Sequence, residues 1–93
     1  MKMNPTHNLQ YVYLLQSLKN KSLYIGCTSD LKKRLAEHNN KKSYHTSKYT
    51  PWKLIYCEIY INKDDAYNRE KLLKLHAQGL RRLKERLHNT FAL

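Results

Sequence analysis

A basic helical segment carries two side chains suited to phosphate chemistry on its inward face. In "LKKRLAEHN" (31–39), Arg34 and His38 recur with two leucines at the i, i+3, i+4, i+7 spacing of one helix face. Burying a guanidinium beside leucines is costly unless an anion meets it, and its planar donors fit a carboxylate or a phosphate. The spacing therefore predicts that Arg34 either pairs with an acidic side chain or binds a phosphate at the rim of the core.

Glu70 is also a charged residue on an otherwise apolar helix face, in a later helical segment. It lies on the apolar stripe that runs from Ala66 to Ala77, whereas the two aspartates before that stripe suit the positive end of the helix dipole. Two interpretations of Glu70 remain open. It forms a salt bridge with Arg34, or it binds a hard cation such as Mg²⁺, which often uses one carboxylate together with water and substrate phosphate.

Tyrosine is unusually common in this chain. There are eight tyrosines against one phenylalanine, which favours hydroxyl groups over plain aromatic bulk. Tyr13 and Tyr24 fall in two segments predicted to pair, so their hydroxyls can lie close together. A phenol whose pKa is lowered by a nearby cation can accept a proton from water. Taken singly, each is better explained as a half-buried strand aromatic. Their occurrence with Arg34, His38 and Glu70 favours a site.

The charge balance indicates the class of partner. The 93 residues include 18 Lys and Arg against 7 Asp and Glu, a net charge of +11. Such an excess on one small domain favours a polyanion, most commonly nucleic acid. A solvated basic protein with no polyanionic partner is the alternative. An anionic membrane surface is disfavoured, because no segment pairs a bulky apolar face with a purely basic one.

Three apolar segments must supply the strands that hold these side chains. Residues 9–17, 23–27 and 52–61 are rich in Tyr, Val, Ile and Leu, as strands are. The polar turn at 18–22 makes the first two an antiparallel hairpin. Gly26 is expected to allow a tight turn between that hairpin and the first helix.

Three further segments are predicted to be helical. The first follows the capping residues "TSD" and ends at about Asn39, and the second is capped by Asn62 and ends at about His76. Gly79 is expected to separate the second helix from a third over 80–87, whose leucines share one face.

The order β-β-α-β-α-α predicts an α+β fold, a three-stranded antiparallel sheet with flanking helices. We expect one domain over residues 9–88, with a flexible N-terminal tail at 1–8 and a C-terminal tail at 89–93. The length is too short for a second domain.

The cysteines and the N-terminus indicate the compartment. Cys27 and Cys57 lie thirty residues apart without a C-x-x-C pair, so they are expected to be small buried thiols in a reducing compartment. A zinc site built from them with His38 and His76 is disfavoured, because no pair has ligand spacing. The polar N-terminus is not a signal peptide, and no apolar run approaches the ~20 residues needed to span a bilayer. We expect a cytoplasmic protein without a membrane partner.

Several short motifs occur in an order that identifies a family. "YVY" (11–13), "YIG" (24–26), "TSDLKKRLAEHN" (28–39), "TPWKLIY" (50–56) and "AYNREKLLK" (66–74) together resemble the GIY-YIG nucleases. Within that family the chain is similar to small stand-alone proteins related to the incision subunit of bacterial nucleotide excision repair. The resemblance covers residues 9 to about 88. It departs from the family pattern in lacking the Gly of the first tripeptide.

The resemblance implies a role for each candidate residue. Tyr13 and Tyr24 match the two motif tyrosines, one of which, usually the first, helps to deprotonate the attacking water. Arg34 matches the arginine that holds the scissile phosphate, and His38 matches a position that assists the proton relay. Glu70 matches the single ligand of a Mg²⁺ or Mn²⁺ ion. A late Asn of some members has only a loose counterpart in Asn89.

Two basic segments are candidates for contacts with nucleic acid. The loop "NKKSYHTSKYT" (40–50) interleaves lysines with aromatics, a composition typical of single-strand or junction binding, and a solvated loop is the equal alternative. The segment "GLRRLKERL" (79–87) is either a phosphate-contacting helix or a plain surface helix. The candidate contact residues are Lys32, Lys33, Lys41, Lys42, Lys48, Arg81 and Arg82.

Two classes of function follow. The leading prediction is a metal-dependent endonuclease that hydrolyses DNA, branched or single-stranded DNA included, in repair or recombination. RNA is not excluded as a substrate. The rival is a non-catalytic nucleic-acid-binding module on the same scaffold, and assembly into a dimer stays open.

Overall fold

The computed structural model describes residues 9–75 and 77–92, and a three-stranded antiparallel sheet forms its centre. The central strand β1 (Gln10–Ser17) pairs with β2 (Leu23–Thr28) on one side and with β3 (Trp52–Tyr60) on the other. Both pairings are antiparallel, and the pairing of β1 with β3 contains an irregularity between Leu14 and Leu15. The predicted sheet is confirmed.

Helices cover both faces of this sheet. Helix α1 (Leu31–Asn39) follows β2, and α2 (Lys63–Leu75) and α3 (Ala77–Arg86) follow β3. The α+β fold and the order β-β-α-β-α-α are therefore confirmed. Two short elements add to this order. They are a 3₁₀ turn at Ser47–Tyr49 and a final helix, α4 (His88–Phe91).

Alternation along β1 divides the core into two clusters. Val12 and Leu14 face α2 and α3, where they pack with Ala66, Leu73 and Leu83. The opposite face carries Tyr13, Leu15, Tyr24 and Trp52, and the leucines of α1, Leu31 and Leu35, pack on it. Because successive strand side chains point to opposite faces, Tyr13 belongs to the α1 layer and not to the main aliphatic core.

The helices begin where the capping residues are. The Asp30 carboxylate accepts a hydrogen bond from the Lys33 amide at 3.1 Å and caps α1. The Asn62 side-chain oxygen accepts from the amides of Asp64 and Asp65, at 2.8 and 3.2 Å, at the start of α2. Each cap satisfies amides that have no partner inside the helix, as the sequence predicted.

Two expectations about helix ends need correction. Gly79 does not separate helices, because α3 begins at Ala77 and Gly79 lies within its first turn. A Cβ at Gly79 would lie 3.3 Å from the Leu72 carbonyl oxygen, so this glycine allows α2 and α3 to approach closely. The expected end of the second helix at His76 lies outside the described residues. In the segment expected to be a C-terminal tail, Phe91 of α4 packs against the core.

The two cysteines are free. The sequence predicted that both would be buried, and neither is fully buried. Cys27 and Cys57 are both half-buried, and each packs on a different core cluster. Among residues 9–75 and 77–92, no helix combines the length and the apolar character needed to cross a bilayer.

Candidate active site

Helix α1 brings the predicted inward pair to the sheet. With Leu31 and Leu35 packed on the Tyr13 cluster, the side chains on the same face point towards β1 and β2. His38 is fully buried, at 0% exposure, and Arg34 is half-buried. The helical spacing therefore placed both residues correctly, because a period of 3.6 residues decides which side chains share a face.

Tyr13 and His38 are in direct contact. The Tyr13 hydroxyl lies 3.0 Å from His38 Nε2, and both side chains are buried. The contact joins the middle of β1 to the last turn of α1, 25 residues apart in sequence. A phenol and an imidazole at this distance can exchange a proton.

Thr46 completes the surroundings of His38 on the other side of the ring. Its hydroxyl oxygen lies 2.8 Å from His38 Nδ1 and 3.4 Å from the Ser43 carbonyl oxygen. We assign the single Thr46 hydroxyl hydrogen to the Ser43 carbonyl, which can only accept, so that the Thr46 oxygen accepts from Nδ1–H. A neutral His38 then has an unprotonated Nε2, which accepts from the Tyr13 hydroxyl. The hydrogen-bond directions thus define one tautomer.

Tyr24 packs on this pair with its ring. Its centroid lies 4.8 Å from that of His38 and 6.3 Å from that of Tyr13. It also lies 6.4 Å from the Trp52 ring. The two motif tyrosines lie on neighbouring strands, since Tyr24 pairs with Leu15, two residues from Tyr13 on β1.

Gly26 has a different part from the one expected. It lies inside β2, directly opposite Tyr13, and not in a turn. A Cβ at this position would collide with the hydroxyl end of the Tyr13 ring. The absence of a side chain at Gly26 therefore makes room for the Tyr13 phenol to cross β2 towards His38.

Arg34 pairs with an acid from its own helix. Its Nη1 donates to Glu37 Oε1 at 3.1 Å, and both side chains remain about one-third exposed. The proposed salt bridge between Arg34 and Glu70 is therefore absent from the structure. A partly exposed i, i+3 pair contributes little to stability, so Arg34 can exchange Glu37 for a phosphate at small cost.

Glu70 lies on α2 and pairs with Lys74. The two side chains are 3.1 Å apart, with Glu70 mostly buried and Lys74 half exposed. The Lys74 ammonium also lies 5.9 Å from the centre of the Tyr24 ring. Glu70 therefore lies on the side of the Tyr24 ring where α2 meets β2. It is near enough for its charge to act on Tyr13.

Burial controls the titration of the central pair. It raises the pKa of Tyr13 to about 12, because the adjacent Arg34 guanidinium offsets desolvation only in part. This is the opposite of the lowered pKa expected from the sequence. Burial, followed by the charge of Arg34, lowers the pKa of His38, with Glu37 acting in the other direction. At neutral pH the pair is a neutral phenol beside a neutral imidazole.

Glu70 fits a metal site in which the protein supplies a single ligand. Among the residues that the structure describes, no three His, Cys, Asp or Glu side chains come together to hold a metal ion. One carboxylate is enough for Mg²⁺ where phosphate oxygens and water complete the coordination. The flexible Lys74 ammonium can move into solvent, so the Glu70 carboxylate can exchange one cation for another.

The candidate nucleic-acid contacts form two groups. The first group is exposed on α1 and in the loop that follows it, and it consists of Lys32, Lys33, Lys41, Lys42 and Lys48. Arg81 and Arg82 are also exposed, but α3 packs on the opposite face of the sheet. The structure therefore places the lysines, and not the two arginines, on the α1 side. Asn89 is exposed on α4.

Sequence reasoning missed three residues that shape this site. Thr46 orients His38, and Lys74 neutralises Glu70. The Asn39 side chain accepts from the Trp52 amide at 2.6 Å and donates to the Trp52 carbonyl at 2.9 Å, which ties the end of α1 to β3. For Lys74 the signal was the i, i+4 spacing from Glu70. The other two contacts have no local pattern.

Comparison with known proteins agrees with this arrangement. A family profile described as the GIY-YIG catalytic domain matches residues 9–84. A UPF0213 protein of Streptococcus pyogenes serotype M3 is 43% identical over 65 residues, covering 69% of this chain and 70% of that protein. A UPF0213 protein of Clostridium perfringens is 43% identical over 70 residues, covering 71% of each.

The fold and the site thus define a nuclease-type α+β domain. The chain belongs to the GIY-YIG family, and its relatives among the UPF0213 proteins are small single-domain proteins.

Proposed function

We propose that the protein is a divalent-metal-dependent endonuclease that hydrolyses DNA phosphodiester bonds. The observation that carries this proposal is the buried 3.0 Å contact between the Tyr13 hydroxyl and His38 Nε2, with Tyr24 packed on it. A buried phenol and imidazole aligned in this way on a domain of net charge +11 suit proton transfer next to a polyanion. Family membership supports the same reaction class.

Proton transfer passes through Tyr13 to His38. The raised pKa of Tyr13 means that free phenolate is scarce at neutral pH, so its proton must leave as a water proton arrives. The unprotonated Nε2 of His38 takes the phenol proton while the phenol oxygen takes a proton from water. The resulting hydroxide attacks phosphorus, and the bond to the leaving oxygen breaks.

The charged residues stabilise the phosphate. Arg34 leaves Glu37 and donates to the phosphate oxygens, on which negative charge increases in the transition state. Glu70 would hold Mg²⁺ or Mn²⁺, and the ion would supply Lewis-acid stabilisation of the negative charge on the phosphate. Tyr24 keeps the Tyr13 and His38 rings in position through its packing.

The surroundings suggest the kind of substrate. The exposed lysines Lys32, Lys33, Lys41, Lys42 and Lys48 supply phosphate contacts on the α1 side. We propose DNA repair or recombination intermediates, branched or single-stranded, as substrates, with RNA as a comparison in the assay. Arg81 and Arg82 are proposed to contact a more distant part of the same strand. We place the reaction in the cytoplasm.

The test is a cleavage assay with paired variants of α2. Purified protein is incubated with labelled duplex, nicked, branched and single-stranded DNA, and with RNA, in Mg²⁺, Mn²⁺ or EDTA. We expect cutting only with metal, and its loss in Glu70→Gln with binding in EDTA nearly unchanged. Lys74→Gln is the matched control. It removes the partner charge but not the ligand, and it should cut at least as well as the wild type.

The rival function is binding without cutting, and the Glu70–Lys74 ion pair is the observation that favours it, because the carboxylate already has a cation. Binding would then weaken with salt at a log–log slope of about −0.9 per phosphate neutralised. Cutting that survives Glu70→Gln would refute the metal-site assignment. Binding without cutting on every substrate, by both the wild type and Lys74→Gln, would establish the rival.

A further inference from the structure

The loop between α1 and β3 presents an aromatic ring to solvent. Tyr44 is 83% exposed, although Ser43 before it and Thr46 two residues after it are buried. Leaving a large apolar ring in water forgoes the stabilisation that burial would supply. An exposed ring on a flexible loop needs no functional explanation, whereas an exposed ring on a rigid loop does.

Hydrogen bonds hold the backbone on both sides of Tyr44. Ser43 and Thr46 are buried, and the Ser43 carbonyl accepts from the amides of Thr46 and Ser47 at 3.2 and 3.1 Å. The Ser47 hydroxyl donates to the Tyr44 carbonyl at 3.1 Å. Trp52 Nε1 donates to the Thr46 carbonyl at 2.8 Å, which fastens the loop to β3. These hydrogen bonds therefore fix the turn that exposes the Tyr44 ring to solvent.

A second ring supports the first. Tyr44 and His45 make an edge-to-face contact, with centroids 5.6 Å apart and planes at 81°. Aromatic pairs favour this geometry, so the two rings form one exposed unit. We call this unit, Tyr44 with His45, the aromatic platform.

The platform has a fixed relation to the candidate active site. Thr46, which bonds to His38 Nδ1, is the residue immediately after His45. Consecutive Cα atoms are about 3.8 Å apart, so the platform begins within one residue of a side chain that touches the Tyr13–His38 pair. Exposed Lys41, Lys42 and Lys48 lie in the same loop.

From this arrangement we infer that the aromatic platform stacks an unpaired nucleobase of the bound strand, beside the phosphate that the site holds. Stacking needs an open base face, which a base inside a duplex does not offer. The ligand class is therefore nucleic acid with an unpaired base near the reacting phosphate, as in single strands, flaps and junctions. The link to a reacting phosphate rests on the proposed function, whereas the stacking itself does not.

The experiment measures stacking without cutting. In EDTA, a Tyr44→Trp variant is titrated with an unstructured single-stranded oligonucleotide of thymidines and with a fully paired blunt duplex of equal length. The native Trp52 is 5% exposed and hydrogen-bonded, so its emission serves as an internal background in the unsubstituted protein. We expect quenching of the new indole by the single strand and little quenching by the duplex.

Affinity measurements provide the matched control. Tyr44→Ala should weaken single-strand binding at least about fivefold, the lower end for one stacked base, with duplex binding changed less. Tyr67→Ala removes another exposed tyrosine, 46% exposed on α2, and should change neither. Tyr44→Phe should retain single-strand binding, because stacking needs the ring and not the hydroxyl.

The outcomes separate this inference from the proposed function. Equal quenching by single strand and duplex, or unchanged single-strand affinity in Tyr44→Ala, overturns the platform. Selective quenching in a protein that cuts no substrate supports the platform and refutes only the nuclease activity. Cutting by the wild type with no selective quenching supports the nuclease activity and overturns the platform.

Discussion

The hydroxyl of Thr46 controls the tautomer of His38, and replacing Thr46 with valine tests this directly. Thr46 is fully buried, and its hydroxyl is the partner of His38 Nδ1 at 2.8 Å. Valine has nearly the same shape but cannot accept a hydrogen bond. In Thr46→Val the Nδ1–H group is left buried without an acceptor, so the other tautomer, protonated on Nε2, becomes competitive.

The structure sets the size of the expected loss. A buried donor without a partner costs about 1–3 kcal/mol, and valine leaves no cavity to add to this cost. For a domain of this length each kcal/mol corresponds to roughly 4–8 °C in Tm, so the variant should melt about 4–24 °C lower. With Nε2 protonated, His38 can no longer accept the Tyr13 proton. The proposed cleavage should fall by about 10²-fold or more.

Two measurements check these values. Thermal unfolding gives the change in stability, and long-range ¹H–¹⁵N correlation spectra show which nitrogen of His38 carries hydrogen. The wild type should show the Nδ1–H form, and the spectra need neither metal nor substrate. Thr46→Ser is the control, because it keeps the hydroxyl and loses one methyl group, at about 1 kcal/mol. It should melt lower yet keep the wild-type tautomer and its rate.

Retention of the Nδ1–H form of His38 and of the wild-type Tm in Thr46→Val would refute the role given to Thr46. A wild type that carries the His38 proton on Nε2 would refute it as well. A variant that shifts the tautomer without slowing cleavage would remove His38 from the proton path and leave its structural role intact.

Two further predictions follow from the packing around the site. Gly26→Ala should cost about 1–3 kcal/mol by thermal unfolding and displace Tyr13, because the new Cβ collides with that ring. Gly79→Ala should cost less stability, because its Cβ lies 3.3 Å from a carbonyl oxygen and alanine has the higher helix propensity. An equal loss of stability in the two variants would contradict this explanation. Burial alone would raise the pKa of Glu58, but hydrogen bonds from Arg69 and two tyrosines lower it. The ionised Glu58 therefore stabilises the folded state fully above about pH 4.5, and this contribution is lost as the pH falls through the lower pKa of the folded state. Glu58→Gln should lose about 2 kcal/mol at pH 7 and flatten the acid limb of the stability curve, whereas an unchanged limb would assign acid unfolding to other groups.

Local signals in the sequence were enough for most of the fold. The capping residues Asp30 and Asn62 predicted where α1 and α2 begin, because an exposed amide at a helix start needs a nearby acceptor. The Tyr, Val and Leu content of β1 predicted a strand, and the polar turn after it predicted the hairpin with β2. These features depend on neighbours within about four residues, which the sequence displays directly.

Part of the candidate site was also open to prediction. The helical period placed Arg34 and His38 on the inward face of α1, and hairpin pairing placed Tyr13 near Tyr24. Family motifs identified these residues and Glu70 as candidates for the site. Their catalytic roles stay predictions.

Only the tertiary structure decided which groups are partners. Arg34 pairs with Glu37 and not with Glu70, and Glu70 pairs with Lys74 of its own helix. Gly26 leaves space for the Tyr13 ring on the neighbouring strand and does not form a turn. The pKa of Tyr13 rises because burial outweighs its one adjacent cation.

Sequence alone thus determined the three strands, the first three helices and their inward faces, and the family. The three-dimensional packing decided the hydrogen-bond partners of His38 and the exposure of Tyr44. The physical reason is one of range. Helix caps and periodicity act within a turn or two of chain, whereas hydrogen bonds and desolvation depend on atoms that only folding brings together.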